Sequence, residues 1–381
     1  MPRPGIHGAA GRRTCGELIA VGFLLATSWG CSRQQEPIFD ATNARIAWPA
    51  APAQQRVRWV GELRSEADLK AQRSFFAAMG DLLVGAKEPE TLYGPRGLVK
   101  TASDKLWIAD PGGRCLHVFD LRERRYLRIE TAGASKLLSP VDVCLGPDNS
   151  VYVCDSETIE IHRFNAERMT YLETLSLPEE LGRPAAMAFD ADAGELFVVD
   201  VAAHNIKVLE PTGWMKRVLG GRGVEPGKFN FPCDVALDGD TLWVADTGNN
   251  RVQQIRRDGE PVQSFGQAGD APGDMAMPKS LALDSDGHVY VVDSRFENIQ
   301  IFDQDGRLLL IIGEEGVGPG EFWLPAGVFI DTGDRIWVCD SYNARVQVFD
   351  YLPMSLSEQT PPADDTLGEK LKDDGSGEGR P

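Results

Sequence analysis

The sequence predicts an all-β fold, a six-bladed β-propeller of four-stranded blades, and three observations carry the prediction. Six prolines (Pro95, Pro140, Pro184, Pro232, Pro278 and Pro325) are each followed 14 to 16 residues later by an aspartate that closes a short apolar run (Asp110, Asp155, Asp200, Asp246, Asp293 and Asp340). Successive copies lie 44 to 48 residues apart, a fixed period that marks a repeat architecture. Around each aspartate the same residue types recur. An aromatic stands three positions before it: Trp107, Tyr152, Phe197, Trp243, Tyr290 and Trp337. An aliphatic stands six positions after it: Leu116, Ile161, Ile206, Val252, Ile299 and Val346. Finally, the segments between these landmarks are too short for helices.

The fifth copy displays the four strands in order. They are Ser280 to Asp284, His288 to Asp293, Asn298 to Asp303 and Arg307 to Ile312. Asp284-Ser-Asp-Gly287 and Asp303-Gln-Asp-Gly306 are the turns between them, where carboxylate and glycine chemistry favours reversal. The second strand of each copy is apolar on both faces, as in Leu242-Trp-Val-Ala245, the pattern of a strand buried on both sides. Sheets stacked radially, face to face, bury both sides, so each copy reads as one blade.

The segment Gly313-Glu-Glu-Gly-Val-Gly-Pro-Gly-Glu-Phe-Trp-Leu-Pro325 recurs as Gly220 to Pro232 and Gly266 to Pro278, with Met275 where the others have Phe229 and Phe322. With the turn Asp246-Thr-Gly-Asn-Asn-Arg251, these segments resemble the linkers and turns of NHL-repeat propellers, over roughly residues 56 to 351. The first two copies lack the glycine-rich linker, and Asp110-Pro-Gly-Gly-Arg114 departs from the turn motif.

The sixth copy stops after its third strand, at Asp350-Tyr-Leu-Pro353. The strand-like run Arg56 to Leu63 is therefore expected to complete blade six, because an unclosed ring leaves two hydrogen-bonding edges exposed. Ser65-Glu-Ala-Asp68 has the form of a capping box. It predicts a short helix before blade one, through Leu69, Phe75, Phe76, Met79 and Leu83, lying across one face.

Residues 1–30 read as an export signal: Arg3, Arg12 and Arg13 precede the apolar core Leu18 to Ala26, too short to span a bilayer. The run ends Thr27-Ser-Trp-Gly-Cys31, which resembles a bacterial lipoprotein processing site with Cys31 as the lipidated residue. Ser28 departs from that pattern and leaves ordinary cleavage after Ser28 as the alternative. Ser32 beside the cysteine is not the aspartate that retains lipoproteins in the inner membrane, so the resemblance implies an outer-membrane anchor, with a soluble periplasmic form as the other address. Residues 31–55 read as a flexible tether, 56–353 as the propeller and 354–381 as a disordered acidic tail.

The chain carries a formal charge of −18. Removing residues 1–30 takes away three arginines and one glutamate, leaving −20. Such a surface opposes nucleic-acid binding, which depends on neutralising phosphates. Cys115, Cys144, Cys154, Cys233 and Cys339 would remain in the mature chain. Cys154 and Cys339 take positions held by Ala109, Val199, Ala245 and Val292 in other copies, so they read as small core residues. No disulfide framework is expected.

The six repeat aspartates read as structural, accepting backbone N–H bonds of the following turn. His117 and His162 share a polar register of the third strand with Lys207, Gln253, Gln300 and Gln347, which reads as solvated. No histidine falls on an innermost strand, so the zinc cluster that lyases of similar fold use finds no support. Neither C-x-x-C-H nor G-x-S-x-G occurs. No catalytic residue is assigned.

The innermost strands begin just after the prolines and bring Arg96, Asp142, Asp234 and Lys279 to one mouth of the central channel. These four are the candidate ligand site, with Asp142 and Asp234 as candidate oxygen ligands for Ca²⁺. The alternative is that the four charges pair with one another around a solvated channel. NHL propellers commonly serve in protein interaction. The resemblance thus implies a binding module or scaffold of the bacterial cell envelope: a monomeric propeller, membrane-attached only through its lipid, with another envelope protein as partner. The rival readings are a metal-dependent lyase or lactonase-like hydrolase, and a haem-free accessory subunit of an envelope electron-transfer complex.

Overall fold

The computed structural model describes residues 37–39, 46–69, 89–177 and 181–352. They form the predicted ring of six antiparallel sheets. From the channel outward, blade one runs Gly97–Lys100, Lys105–Asp110, Cys115–Asp120 and Arg125–Ile129. Blade two runs Pro140–Gly146, Ser150–Asp155, Glu160–Asn165 and Thr170–Thr174. Blade three runs Pro184–Asp190, Glu195–Asp200, Asn205–Leu209 and Met215–Gly220. Blade four runs Asp234–Asp238, Thr241–Asp246, Arg251–Arg256 and Pro261–Phe265. Blade five runs Pro278–Leu283, Val289–Asp293, Asn298–Phe302 and Leu308–Ile312.

Blade six takes Pro325–Ile330, Arg335–Asp340 and Arg345–Tyr351 from the end of the chain and Val57–Leu63 from its beginning. Val57 pairs with Tyr351 and Leu63 with Val346, with a bulge between Trp59 and Gly61. Arg345 Nη1 adds an ion pair to Glu62 Oε2 at 2.7 Å. The strand expected to close the ring does so.

Two expectations need adjusting. Part of the tether is structured: Ala47–Trp48 adds a fifth strand to blade six, and Phe39 stands edge-on to Trp337 at 5.4 Å. Gly61 permits this approach, because a Cβ there would lie 2.8 Å from the Phe39 ring. Before blade one, the capping box forms, with Ser65 N donating to Asp68 Oδ2 and Ala67 N to Ser65 Oγ. It opens a single 3-10 turn, Glu66–Leu69. The rest of the expected helix, through Phe75, Phe76, Met79 and Leu83, lies outside the described residues, as do the segments expected to be an export signal and an acidic tail.

The core sits in the seams. Each of six buried clusters draws on two neighbouring blades, and one joins Leu98, Leu106 and Ile108 of blade one to Trp337, Val346 and Val348 of blade six. Fully burying each second-strand aromatic contributes on the order of 2 kcal/mol. All five cysteines among the described residues are free and buried. Desolvation holds the Cys144, Cys154 and Cys339 thiols well above the usual range, so they behave as small apolar residues.

Each repeat aspartate is fully buried and does more than brace its own turn. It also accepts N–H bonds from the chain entering the blade. Asp293 takes Ala276 N at 2.7 Å and Met277 N at 3.0 Å on one side, and Arg295 N and Phe296 N of the turn on the other. Asp340 takes Trp323 N at 2.8 Å together with the side chains of Asn343, Arg345 and Gln347.

The solvated reading of the third-strand polar register is overturned. His117 and His162 are fully buried, and Lys207, Gln253, Gln300 and Gln347 are nearly so. The third strand is sandwiched between blades, so its polar side chains find protein partners instead of water: several meet the aspartates, whereas His162 bonds Thr174 Oγ1 and Gln300 donates to Asp274 O. Gln253 Nε2 donates to Asp246 at 3.0 Å, and His117 Nε2 lies 3.2 Å from Asp110.

Two outcomes test this architecture. Deleting residues 37–63 should free the edge of Arg345–Tyr351, abolish the cooperative thermal transition and give aggregates in size-exclusion chromatography. Asp293→Ala should strand four backbone donors and lower the unfolding free energy, read by urea titration, by about 3 kcal/mol.

Candidate functional site

The channel mouth is built in two tiers. The first residues of the innermost strands form the outer tier: Arg96, Val141, Ala185, Cys233, Lys279 and Ala326. The second residues form the tier below: Gly97, Asp142, Ala186, Asp234, Ser280 and Gly327. All of them line a cavity of about 300 Å³. The structure thus brings Arg96, Asp142, Asp234 and Lys279 into one cavity, with the cations one residue nearer the mouth end of their strands than the carboxylates.

The lower tier staples neighbouring blades. Asp142 Oδ2 accepts Met187 N of blade three at 2.7 Å. Asp234 Oδ2 accepts Ser280 Oγ at 2.6 Å and Leu281 N at 2.9 Å, both of blade five. Ser280 Oγ in turn accepts Val328 N of blade six at 3.1 Å. Gly97 is required beside Asp142, because a Cβ there would collide with its carboxylate.

Burial dominates the electrostatics of this tier. Desolvation, joined by the neighbouring Asp234 charge, holds Asp142 well above the usual carboxylate range against the opposing pull of the Met187 and Val143 N–H groups. Desolvation likewise pushes Asp234 up, to about 6, although Ser280 and two backbone donors favour its ionised form. In the outer tier, desolvation lowers Lys279, and the Arg96 charge adds to that.

The Arg96 charge favours the ionised forms of Asp142 and Asp234, but the four charges make no direct ion pair with one another. Among the described residues, no carboxylate oxygen lies within 4.0 Å of the Arg96 or Lys279 side-chain nitrogens. Lys279 Nζ approaches only Cys233 Sγ, at 3.9 Å. Ca²⁺ prefers six to eight oxygens, about twice what two carboxylates can supply. Here the two are engaged by N–H donors and overlooked by two cations, and among the described residues no three His, Cys, Asp or Glu side chains form a metal-holding group. This donor set suits an anion better than a divalent cation.

Sequence reasoning missed the aromatics of the same face. The linkers before the innermost strands and the turns between second and third strands all emerge at the mouth end. They carry Tyr93, Phe231, Trp323 and Tyr342, which are 56, 49, 47 and 65 % exposed. Trp323 and Tyr342 pack with ring centroids 5.7 Å apart and planes tilted by 47°. Phe231 has φ +49°, a left-handed conformation unfavourable for a bulky residue and more so before proline. It is held there by its N–H bond to His204 Nδ1 at 2.9 Å and by contact with that ring. Three of these aromatics, Tyr93, Phe231 and Trp323, stand within two residues of a linker proline and were the available signal, but exposure could not be read from their spacing.

With fold and site described, the class is plain: the chain is a six-bladed β-propeller of NHL-repeat type. Residues 229–255 match the NHL repeat, and residues 279–364 match the family described as a 6-bladed beta-propeller. No curated protein matches the chain at a significant level. Among solved structures, virginiamycin B lyase from Staphylococcus aureus is similar at 15% identity and a TM-score of 0.51, covering 68% of this chain and 95% of that one. Regucalcin, a calcium-binding protein from Agrobacterium tumefaciens, is similar at 16% and 0.51, covering 68% and 90%. An auxiliary nutrient binding protein from Bacteroides thetaiotaomicron is similar at 13% and 0.53, covering 68% and 70%. At such identities the likeness is one of fold.

The raised Asp142 and Asp234 values fix the sign of a pH effect. A carboxyl favoured in its protonated form by the fold contributes stability that is present at low pH and lost as pH rises through the folded value. Asp142→Asn should therefore match the wild type in thermal stability at pH 4 and exceed it at pH 8. A less stable variant at pH 8 would show that the ionised carboxylate is the stabilised form.

Proposed function

We propose that the protein is a binding module of the bacterial cell envelope, exported and lipid-anchored through Cys31, with the mouth face as its recognition surface. The observation that carries this reading is the convergence of Tyr93, Phe231, Trp323 and Tyr342 with the channel mouth on one end of the ring. Exposed apolar groups gathered beside a concave polar site mark a surface made for recognition. The export signal and the Gly30-Cys31 junction support the address, and the acidic surface favours an envelope protein over nucleic acid as partner.

The lyase or hydrolase reading requires a coordinating cluster at the mouth. Asp142 and Asp234 are instead committed to staples between blades.

Two outcomes are expected. Cys31→Ser should shift the protein from the membrane fraction to the soluble periplasm or leave an uncleaved precursor, read by fractionation and intact mass. Unchanged fractionation and mass would remove the anchor from the proposal. In pull-downs from detergent-solubilised membranes, a protein captured by the wild type should be lost with Phe231→Ala or Trp323→Ala, at unchanged melting temperature. Equal capture by all three would place recognition elsewhere.

A further inference from the structure

From the geometry of the two tiers, we infer that the channel mouth binds a small carboxylate ligand between Arg96 and Lys279. The inference deepens the reading of the mouth face as the recognition surface and rests on it.

In a propeller, positions that packing fixes look alike in every blade. The outer tier does not: two of its six residues are cations, and the other four are Val141, Ala185, Cys233 and Ala326. No structural partner accounts for the cations. Both are half-buried, neither has a carboxylate oxygen within 4.0 Å among the described residues, and each lies in the other's repulsive field. A partly desolvated, unpaired cation is costly, and two facing one cavity are more so. The chain as a whole carries −18, so cations placed here run against its overall composition.

The tier below makes no direct ion pair with either cation, although the Arg96 charge draws both of its carboxylates toward their ionised forms. Asp142 and Asp234 turn their oxygens toward the N–H groups of the next blade's innermost strand. Burial also favours their neutral forms, Asp142 the more strongly. The positive charge therefore stands at the opening, where a ligand arrives, and the negative charge is withdrawn beneath it.

An arriving anion relieves both costs at once. A guanidinium can take a carboxylate through two parallel N–H bonds, and an ammonium adds a point charge from the side. The channel, whose walls are largely apolar side chains of all six innermost strands, holds about 300 Å³, room for a ligand of small-metabolite size. Those apolar walls suit the body of an organic acid better than a fully hydrated inorganic ion.

The test is isothermal titration calorimetry on the full mature protein at low salt, with acetate, benzoate, inorganic phosphate and calcium chloride as probes. The expected result is saturable binding of a carboxylate probe. Arg96→Gln and Lys279→Gln should each weaken it at least about tenfold, the scale of one charge-assisted hydrogen bond, and the double variant should abolish it. The melting temperatures of these variants should hold or rise, because the removed charges have no ion-pair partner to lose. Asp142→Asn should retain carboxylate binding. Absence of carboxylate binding, undiminished binding by the double variant, or binding of only phosphate or only calcium would each overturn the inference. Phe231→Ala and Trp323→Ala separate the two proposals. If they lose the captured membrane partner while the wild type binds no carboxylate, the recognition face stands and the anion pocket falls.

Discussion

The structure depends on one carboxylate used six times. At the end of each second strand a fully buried aspartate binds the residues that enter the blade ahead of its proline; in blades one, two, three and five it also takes backbone N–H groups of the turn into the third strand, and in blades four and six side chains take their place. A buried charge is tolerable only when its lone pairs are filled, and here they are filled by N–H groups that would otherwise be stranded at a loop. The knot therefore fixes where each innermost strand begins. The residue after the proline lands at the channel mouth whatever its identity, so Arg96 and Lys279 can stand there without bonds of their own.

The knots come in two chemistries. Asp246 and Asp340, in the repeats with the fullest turn motif, are filled largely by side chains: Asn249, Arg251 and Gln253 in one, Asn343, Arg345 and Gln347 in the other. Asp155 and Asp293 are filled by backbone N–H groups alone. Asp110 is a third case. Burial would raise its pKa, but hydrogen bonds from His117, Tyr93 and Gly113 outweigh burial and lower it. The departure of Asp110-Pro-Gly-Gly-Arg114 from the turn motif is thus compensated within its own blade, by a histidine one strand away.

Period and residue type made the blades legible, because burial between sheets imposes the same demand at the same place in every copy. Closure by Val57–Leu63 was legible for a different reason: a missing fourth strand and an unused strand-like run are complementary defects. The third-strand register was misread because alternation along a strand normally separates core from solvent, whereas a strand between two blades has no solvent face. His117 and Gln347 are polar because an aspartate, not water, awaits them. At the mouth, the sequence could place Arg96, Asp142, Asp234 and Lys279 around one axis but could not say where their side chains reach. The carboxylates turn along the ring to the next blade, a choice set by the free N–H groups of Met187 and Leu281, which no spacing reveals.

A fold shared by proteins of unrelated activity cannot carry the function, so the discriminating residues must lie where packing is indifferent. In this ring that place is the outer tier of the mouth. The seams, the aspartate knots and the staples of the lower tier hold the blades, which leaves the positions of Arg96 and Lys279 free to differ. The order of the charges along the channel sets the sign of what the mouth prefers. Carboxylates outermost, with oxygens turned into the cavity, would make a cation site. Here the carboxylates are sunk one residue deeper, bonded to backbone and shifted toward neutrality, while Arg96 and Lys279 stand above them. The same four residues in the reverse order would have nearly the same composition and net charge and the opposite selectivity. The geometry of the tiers, and not the charge count, is therefore the property from which ligand chemistry follows.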